Sequence, residues 1–210
     1  MPDCGRFALK LVLMSLAVTA GSQAFAAGDA DRGKVLSYTC LGCHGIDNYK
    51  NVYPTYSVPE LGGQHAAYIV AALKEYRASE RSHATMHQQA ASLSDQDMED
   101  IAAYFSGAEL KPTTDLVGTP PKKVTELCVA CHGQSGVGVT GDYPTLAGQQ
   151  QDYLARALEE YKHGDRKNPV MPTFMSTIDD AQIEEIAKYY SQQKPPLRTV
   201  PRRVSILSAQ

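Results

Sequence analysis

The sequence predicts an all-α protein composed of two tandem domains that are related by internal duplication. The motif Cys-x-x-Cys-His occurs twice, at residues 40–44 and 128–132. Residues 59–106 align without a gap with residues 144–191, at an offset of 85, and 17 of these 48 positions are identical. Apolar residues recur at helical spacing in both halves, and no alternating run is long enough for a strand. Two repeats are too few for a solenoid, so each copy is expected to close its own core.

The first 26 residues have the features of a secretory signal peptide. Arg6 and Lys10 supply a basic start, and residues 11–20 carry no charge. Ala24 and Ala26 are small residues at the two positions that a signal peptidase reads. We therefore expect residues 1–26 to be removed and the mature chain to be exported to a bacterial periplasm.

The first domain is predicted to span residues 27–107 and to be helical. One helix is expected to run from about Ala30 into the first cysteine motif. A second helix is indicated by the spacing of the apolar positions between Tyr68 and Tyr76. Ser94 resembles an N-cap, because an acidic residue follows it at the third position, and it is expected to open the last helix of the domain.

The second domain is predicted to span residues 124–192 and to repeat this arrangement. A helix is expected to lead from about Lys122 into the second cysteine motif, and another to include Tyr153 and Tyr161. Asp179 is expected to cap the last helix. In each domain, a methionine-bearing loop is expected just before that last helix.

Two further segments complete the chain. Residues 108–123 contain a Lys-Pro-Thr-Thr and a Gly-Thr-Pro-Pro sequence, which are typical of a linker. Residues 193–210 form a basic C-terminal tail, for which a solvated, frayed terminus is the first expectation. The alternative is that the tail steers an acidic partner or associates peripherally with anionic lipid. The basic residues of the tail are Lys194, Arg198, Arg202 and Arg203.

The Cys-x-x-Cys-His motif is the signature of c-type haem attachment. Two thiols at this spacing can bond to one edge of a porphyrin, and the following His is then held beneath the iron. The predicted attachment residues are Cys40, Cys43, Cys128 and Cys131, and the predicted iron ligands are His44 and His132. A zinc site built from four thiolates leaves the two His unexplained, and a disulfide within the motif lacks the βαβ context of redox proteins.

Methionine is the expected ligand on the opposite face of each haem. Met86 and Met171 are the only pair of methionines related by the repeat offset. Met175 competes with Met171 in the second half, although its repeat counterpart is an alanine. His83 and His87 flank Met86 and could replace it as a ligand.

Other repeated residues fit a haem pocket. The carbonyl of Pro59 or Pro144 could accept a hydrogen bond from the other ring nitrogen of the ligating His. Several polar residues are candidate partners of the haem propionates. These are Gln64, Tyr68 and Arg81 in the first half and Gln149, Tyr153 and Arg166 in the second.

With these motifs in order twice, the chain resembles the cytochrome c4 family, which consists of two tandem class I cytochrome c domains. The resemblance covers about residues 27–192. It implies a periplasmic carrier of single electrons with two covalently bound haem c groups. It also implies that Met86 and Met171 are the sixth ligands, and that partners include a terminal oxidase and an upstream quinol or haem donor.

Alternative functions are a haem subunit of an oxidoreductase complex and a dihaem peroxidase-like enzyme. A peroxidase needs a vacant or displaceable ligand, and the repeat-related methionine pair argues against it. The formal net charge of −3 argues against nucleic-acid binding, which favours a basic chain.

Overall fold

The computed structural model describes residues 28–53, 55–108 and 110–201 of the 210-residue chain. The predicted signal peptide, residues 1–26, lies outside the described residues, as do residues 202–210. Among the described residues, every regular element is a helix, and extended pairing is limited to isolated bridges. The all-α prediction is therefore confirmed.

Four α-helices and one 3₁₀ turn are found in the described residues of the first half. The helices include the two that the sequence predicts around Tyr68 and after Ser94. They are α1 (Ala30–Leu36), α2 (Ala66–Arg77), α3 (Ala84–Ala91) and α4 (Asp95–Ser106), with the 3₁₀ turn at Cys40–Gly42.

The second half repeats this order with small differences. Its first cysteine lies in a π-helical turn that continues into a short α-helix. The elements are the π-helical turn Val124–Cys128, α5 (Val129–His132), α6 (Gln151–His163), α7 (Met171–Met175) and α8 (Asp180–Ser191).

The predicted N-caps of the last helix in each half are confirmed. The Ser94 side chain accepts the N–H of Asp97 at 3.1 Å, and the Asp97 side chain accepts the N–H of Ser94 at 2.9 Å. Asp179 and Gln182 form the same reciprocal pair at the start of α8. Each box satisfies two backbone donors that a helix start otherwise leaves free.

Two predictions about local structure are wrong. The helix that begins at Ala30 ends at Leu36, and the first cysteine motif begins in a separate 3₁₀ turn. The methionine segments are the helices α3 and α7 rather than loops. Side chains just before them accept backbone N–H groups of the first turn: His83 accepts from Met86, and Asn168 accepts from Met171. These local hydrogen bonds stabilise the starts of helices that are too short to show a clear periodic pattern.

A buried carboxylate holds α1 against α4. Asp100 accepts hydrogen bonds from the N–H of Asp29 at 2.8 Å, from Gln96 Nε2 at 2.9 Å and from Arg32. Burial by itself raises the pKa of Asp100, but these three donors lower it below its usual value. Its repeat counterpart, Glu185, is exposed. This junction therefore belongs to the first half alone.

Each half has its own hydrophobic core. In the first half, Met98 and Phe105 of α4 are buried against α2. In the second half, Ile183 and Tyr190 of α8 are buried against α6. Two separate cores are what the duplication predicts, because each copy of the repeat closes its own interior.

The C-terminal segment 193–201 packs across both halves, so the expectation of a frayed terminus is wrong for these residues. Leu197 donates its N–H to the carbonyl of Ala147 at 2.8 Å, and Arg198 donates to the carbonyl of Gly62 at 3.0 Å. Gly62 and Ala147 are repeat equivalents, so two consecutive residues of the tail bind equivalent carbonyls in the two halves. The side chain of Leu197 is only 3% exposed. Burial and this double pairing order the segment.

The tail also contacts the predicted linker. Gln193, which is buried, accepts the N–H of Val117 at 3.0 Å and donates to its carbonyl at 2.8 Å. Lys194 and Arg198 are exposed. Within the part of the chain that the structure describes, no helix has both the length and the apolar character needed to cross a membrane.

Candidate functional site

Each half contains one cavity that its own cysteine motif lines. The first cavity has a volume of about 190 Å³ and the second about 290 Å³. Both cysteines and the histidine of each motif line the respective cavity. These residues are Cys40, Cys43 and His44 in the first and Cys128, Cys131 and His132 in the second. The sequence prediction that these side chains share one site per half agrees with this placement.

The two cavities meet at the interface between the halves. Six residues line both of them, so groups bound in the two cavities would be close neighbours. The shared residues are Tyr68, Arg81, Pro144, Leu146, Tyr153 and Leu154.

Both motif histidines are oriented by a proline carbonyl. His44 Nδ1 lies 2.9 Å from the oxygen of Pro59, and His132 Nδ1 lies 3.0 Å from the oxygen of Pro144. A carbonyl only accepts, so Nδ1 carries the proton and Nε2 is left as the lone-pair nitrogen in each ring. Burial lowers the pKa of both histidines, although the proline carbonyls oppose this effect. Both rings are therefore neutral and available as ligands.

The four motif cysteines are free of disulfides. Burial raises the pKa of the Cys40 thiol, and it raises that of Cys128 to about 11. The two cysteine pairs line separate cavities, and no cluster in residues 28–53, 55–108 and 110–201 has three or more His, Cys, Asp or Glu placed to hold a metal ion. This geometry does not fit the four-thiolate zinc alternative.

Methionines line both cavities. Met86 lines the first and Met171 lines the second. Met175 also lines the second cavity, but it is 2% exposed within the core of the second half. Its repeat equivalent, Ala90, is buried in the core of the first half. The duplication therefore gives Met175 a core position and gives Met171 the position that matches Met86.

The two histidines beside Met86 have other partners. His83 caps α3, with Nδ1 accepting the N–H of Met86 at 3.3 Å, and its ring makes edge contacts with Tyr56 and Tyr76. His87 Nδ1 lies 2.9 Å from the carbonyl oxygen of Tyr76. His83 lines the first cavity, whereas His87 is not part of its lining.

Two buried arginines lie between the halves. Arg81 and Arg166 are 4% and 3% exposed. Their backbones pair in an isolated antiparallel β-bridge. Arg81 pairs with Glu75, and Arg166 Nη2 pairs with Glu160 at 3.1 Å. The Nε of Arg166 is buried without a partner in the described part of the protein. Each guanidinium also lies over two tyrosine rings, those of Tyr68 and Tyr76 for Arg81 and of Tyr153 and Tyr161 for Arg166.

The sequence marks Gln64 and Gln149 as candidate propionate partners, and both line the first cavity. Both side chains are buried, and both amides are engaged with the backbone of the opposite half. The sequence shows that the two glutamines are repeat equivalents. It gives no sign that each reaches across to the other domain, because that pairing is a contact between distant segments.

Sequence reasoning also missed the role of Asp152. Its carboxylate accepts the N–H and the hydroxyl of Ser57, at 3.0 and 2.9 Å, and pairs with Lys50 at 3.2 Å. These bonds dock the loop between the 3₁₀ turn and α2 on α6, and Tyr56 of this loop lines the first cavity. The repeat counterpart of Asp152 is Ala67, so the duplication carried no signal for this contact.

Comparisons with known proteins identify the family to which this site belongs. A family model described as cytochrome c matches residues 19–108 and 122–194. Cytochrome c4 of Pseudomonas aeruginosa is 32% identical over 196 residues, which cover 85% of this chain and 96% of the relative. The chain belongs to the cytochrome c family. Together with the two motifs and two cavities, these matches identify it as a dihaem member of the cytochrome c4 type.

Two further similar proteins match most of the chain, one in structure and one in sequence. The crystal structure of reduced recombinant cytochrome c4 from Pseudomonas stutzeri has a TM-score of 0.64 and 29% identity, and the match covers 80% of this chain and all of that one. A protein of Stutzerimonas stutzeri named thiosulfate dehydrogenase electron acceptor is 30% identical and covers 90% of this chain and 93% of the relative. Like its cytochrome c4 relatives, this chain is an electron carrier and not an enzyme. Its cofactors are two covalently bound haem c groups.

The residues present in both cavities fit this cofactor. Each cavity offers two thiols, an imidazole whose Nε2 is free, and a thioether. Arg81 and Arg166 are buried cations at the cavity walls, and the free Nε of Arg166 suits an anionic group such as a haem carboxylate. These side chains would be available to bond the porphyrin edge, to ligate the iron and to balance the charge of the propionates.

Proposed function

We propose that this dihaem cytochrome transfers single electrons between respiratory redox proteins in the periplasm, with both irons ligated by one His and one Met. The ligands are His44 with Met86 and His132 with Met171, and the thioether bonds form at Cys40, Cys43, Cys128 and Cys131. The observation that carries the proposal is the repeated Nδ1–carbonyl contact, at 2.9 Å in one half and 3.0 Å in the other. It fixes the same tautomer in both rings and leaves the same nitrogen for iron.

The duplication supports the two methionines. Met86 and Met171 are repeat equivalents, and each lines the cavity that its partner histidine lines. An iron held by one imidazole and one thioether from these residues would have no coordination position left for a substrate. The bound haem supplies the ferrous–ferric couple, and a Met ligand raises its reduction potential relative to a second His.

The chain's own residues keep the redox centre rigid. The Pro59 and Pro144 carbonyls hold the imidazole planes, and the core contacts of α2 and α6 exclude water from the cavity walls. A rigid site changes little between the two oxidation states, which favours fast electron transfer. The two cavities share a wall, so haems held in them would be neighbours, and this would favour electron transfer between the domains.

The ferric near-infrared spectrum tests the ligation. A methionine-to-iron charge-transfer band with the intensity of two sites per chain is expected. A high-spin signal at either iron, or turnover of peroxide by the purified protein, would contradict the proposal and favour the peroxidase-like alternative.

A thiosulfate-oxidising enzyme is a second candidate partner, beside a terminal oxidase and a quinol or haem donor. It is favoured by the relative named thiosulfate dehydrogenase electron acceptor and by the likeness to a thiosulfate dehydrogenase (TsdBA) structure from Marichromatium purpuratum, with 25% identity and a TM-score of 0.62. That match covers 78% of this chain and 40% of the other. Stopped-flow spectroscopy can measure how fast the oxidised chain is reduced by such an enzyme with thiosulfate and by a quinol-oxidising complex. Comparison of the two rates separates the two donors.

The proposal that the protein is exported to the periplasm rests on residues 1–26. Mature protein from a periplasmic extract is expected to begin at Ala27. An N-terminus at Met1 in the cytoplasmic fraction would contradict periplasmic localisation.

A further inference from the structure

Two glutamines tie each domain to the backbone of the other. Gln149 of the second half accepts the N–H of Glu60 at 2.9 Å and donates to the Glu60 carbonyl at 3.0 Å. Gln64 of the first half accepts the N–H of Thr145 at 2.9 Å and donates to its carbonyl at 2.9 Å. Glu60 and Thr145 are repeat equivalents, as are the two glutamines. The domain interface therefore contains a crossed pair of equivalent contacts.

Each of these contacts ends on the peptide unit that orients a haem ligand. The peptide between Pro59 and Glu60 accepts the Nδ1–H of His44 at its oxygen and donates its N–H to Gln149. One rigid amide plane thus connects the ligand of the first domain with a side chain of the second.

The second domain has the equivalent arrangement, with the roles of the two domains exchanged. The peptide between Pro144 and Thr145 accepts the Nδ1–H of His132 and donates its N–H to Gln64. Gln64 and Gln149 are 4% and 5% exposed, so water does not compete for either bond. A buried bond of this kind is held in one geometry.

A hydrogen bond at the N–H of an amide polarises the amide and makes its oxygen a better acceptor. A better acceptor at Nδ1–H makes the imidazole a more basic ligand. A more basic ligand stabilises ferric iron relative to ferrous iron and lowers the reduction potential. Loss of the glutamine should therefore raise the potential of the haem whose histidine it supports.

We propose that Gln149 is a positioning residue for the haem ligand His44 of the first domain, and that Gln64 is the positioning residue for His132 of the second. Each domain then tunes the haem of the other. The inference rests on the proposed ligation by the two histidines, and it does not depend on which methionine lies opposite.

The test uses the full-length holoprotein with Gln149→Ala and Gln64→Ala. The two midpoint potentials are measured by optical spectroelectrochemistry, and each haem is assigned to its domain by NMR contacts with neighbouring residues. Gln149→Ala is expected to raise the potential of the first haem more than that of the second, and Gln64→Ala the reverse. An equal shift at both haems, a larger shift at the haem of the substituted domain, or no shift would overturn the proposal.

Two further variants separate tuning from simple loosening of the interface. Gln150→Ala removes a neighbouring bond to the side chain of the same Glu60, at 2.9 Å, and leaves the peptide untouched. It is expected to shift neither potential. Gln149→Glu keeps an oxygen that accepts the Glu60 N–H and should not raise the first potential. An upward shift as large as that of Gln149→Ala in either variant would refute tuning through the peptide.

The outcome is distinguishable from failure of the proposed function. Two haems per chain and an intact methionine-to-iron band in the wild-type protein test that function directly. The potentials of the glutamine variants test only the crossed positioning.

Discussion

The packing of the C-terminal segment predicts that Leu197 stabilises the protein as a core residue does. Its side chain is 3% exposed, and its N–H is bound to the carbonyl of Ala147 at 2.8 Å. Leu197→Ala keeps the backbone bond and removes the buried part of the side chain. Comparable truncations in protein cores cost about 2–5 kcal/mol of the free energy of unfolding.

Equilibrium unfolding of the holoprotein in urea, followed by far-ultraviolet circular dichroism, measures this loss. The matched control is Lys194→Ala in the same segment, which is exposed and should change the stability by less than about 0.5 kcal/mol. A chain that ends at Gln193 also loses both backbone pairings and should be less stable than Leu197→Ala. If Leu197→Ala is as stable as the control, packing of the C-terminal segment does not contribute to the free energy of unfolding, and the prediction is refuted.

Three other predictions concern the haem sites and the α1–α4 junction. Met171→Ala should abolish one of the two near-infrared methionine bands and Met175→Ala should leave both, and the reverse result would reassign the ligand. Arg81→Gln should lower both midpoint potentials, because it removes a buried positive charge that lines both cavities, whereas Arg81→Lys should largely preserve them. The pKa of Asp100 is lowered in the folded state, so its contribution to stability is present above the unfolded pKa and is lost as the pH falls through the folded pKa. Asp100→Asn should therefore be less stable than wild type at neutral pH, and its stability should approach that of wild type below about pH 4. The control Glu185→Gln should change the stability little at any pH. Urea unfolding at a series of pH values measures both.

Local patterns in the sequence predicted much of the site. The repeated Cys-x-x-Cys-His motif predicted which cysteines and histidines share a cavity, and the offset of 85 residues downstream paired Met86 with Met171. The free carbonyl of a proline predicted the partner of His44, and the structure shows this bond with Pro59 at 2.9 Å. These features depend on residues whose chemistry or spacing is visible without knowledge of the fold.

Contacts between distant segments could not be predicted in this way. The sequence marks Gln64 and Gln149 as equivalent polar residues, but their partners lie 81 and 89 positions away in the opposite domain. Leu197 has no repeat counterpart and lies among charged and proline residues, so no periodic pattern announces its burial. At the start of the short helix α7, the side chain of Asn168 accepts the N–H groups of Val170 and Met171. Periodicity in a five-residue segment does not reveal this local contact.

The intact mass of the exported protein shows whether each duplicated cysteine motif binds one haem covalently in a chain that begins after residue 26. We expect a denatured, reduced polypeptide whose mass equals that of residues 27–210 plus two haem groups. A polypeptide that carries one haem, or none after complete maturation, would contradict this expectation.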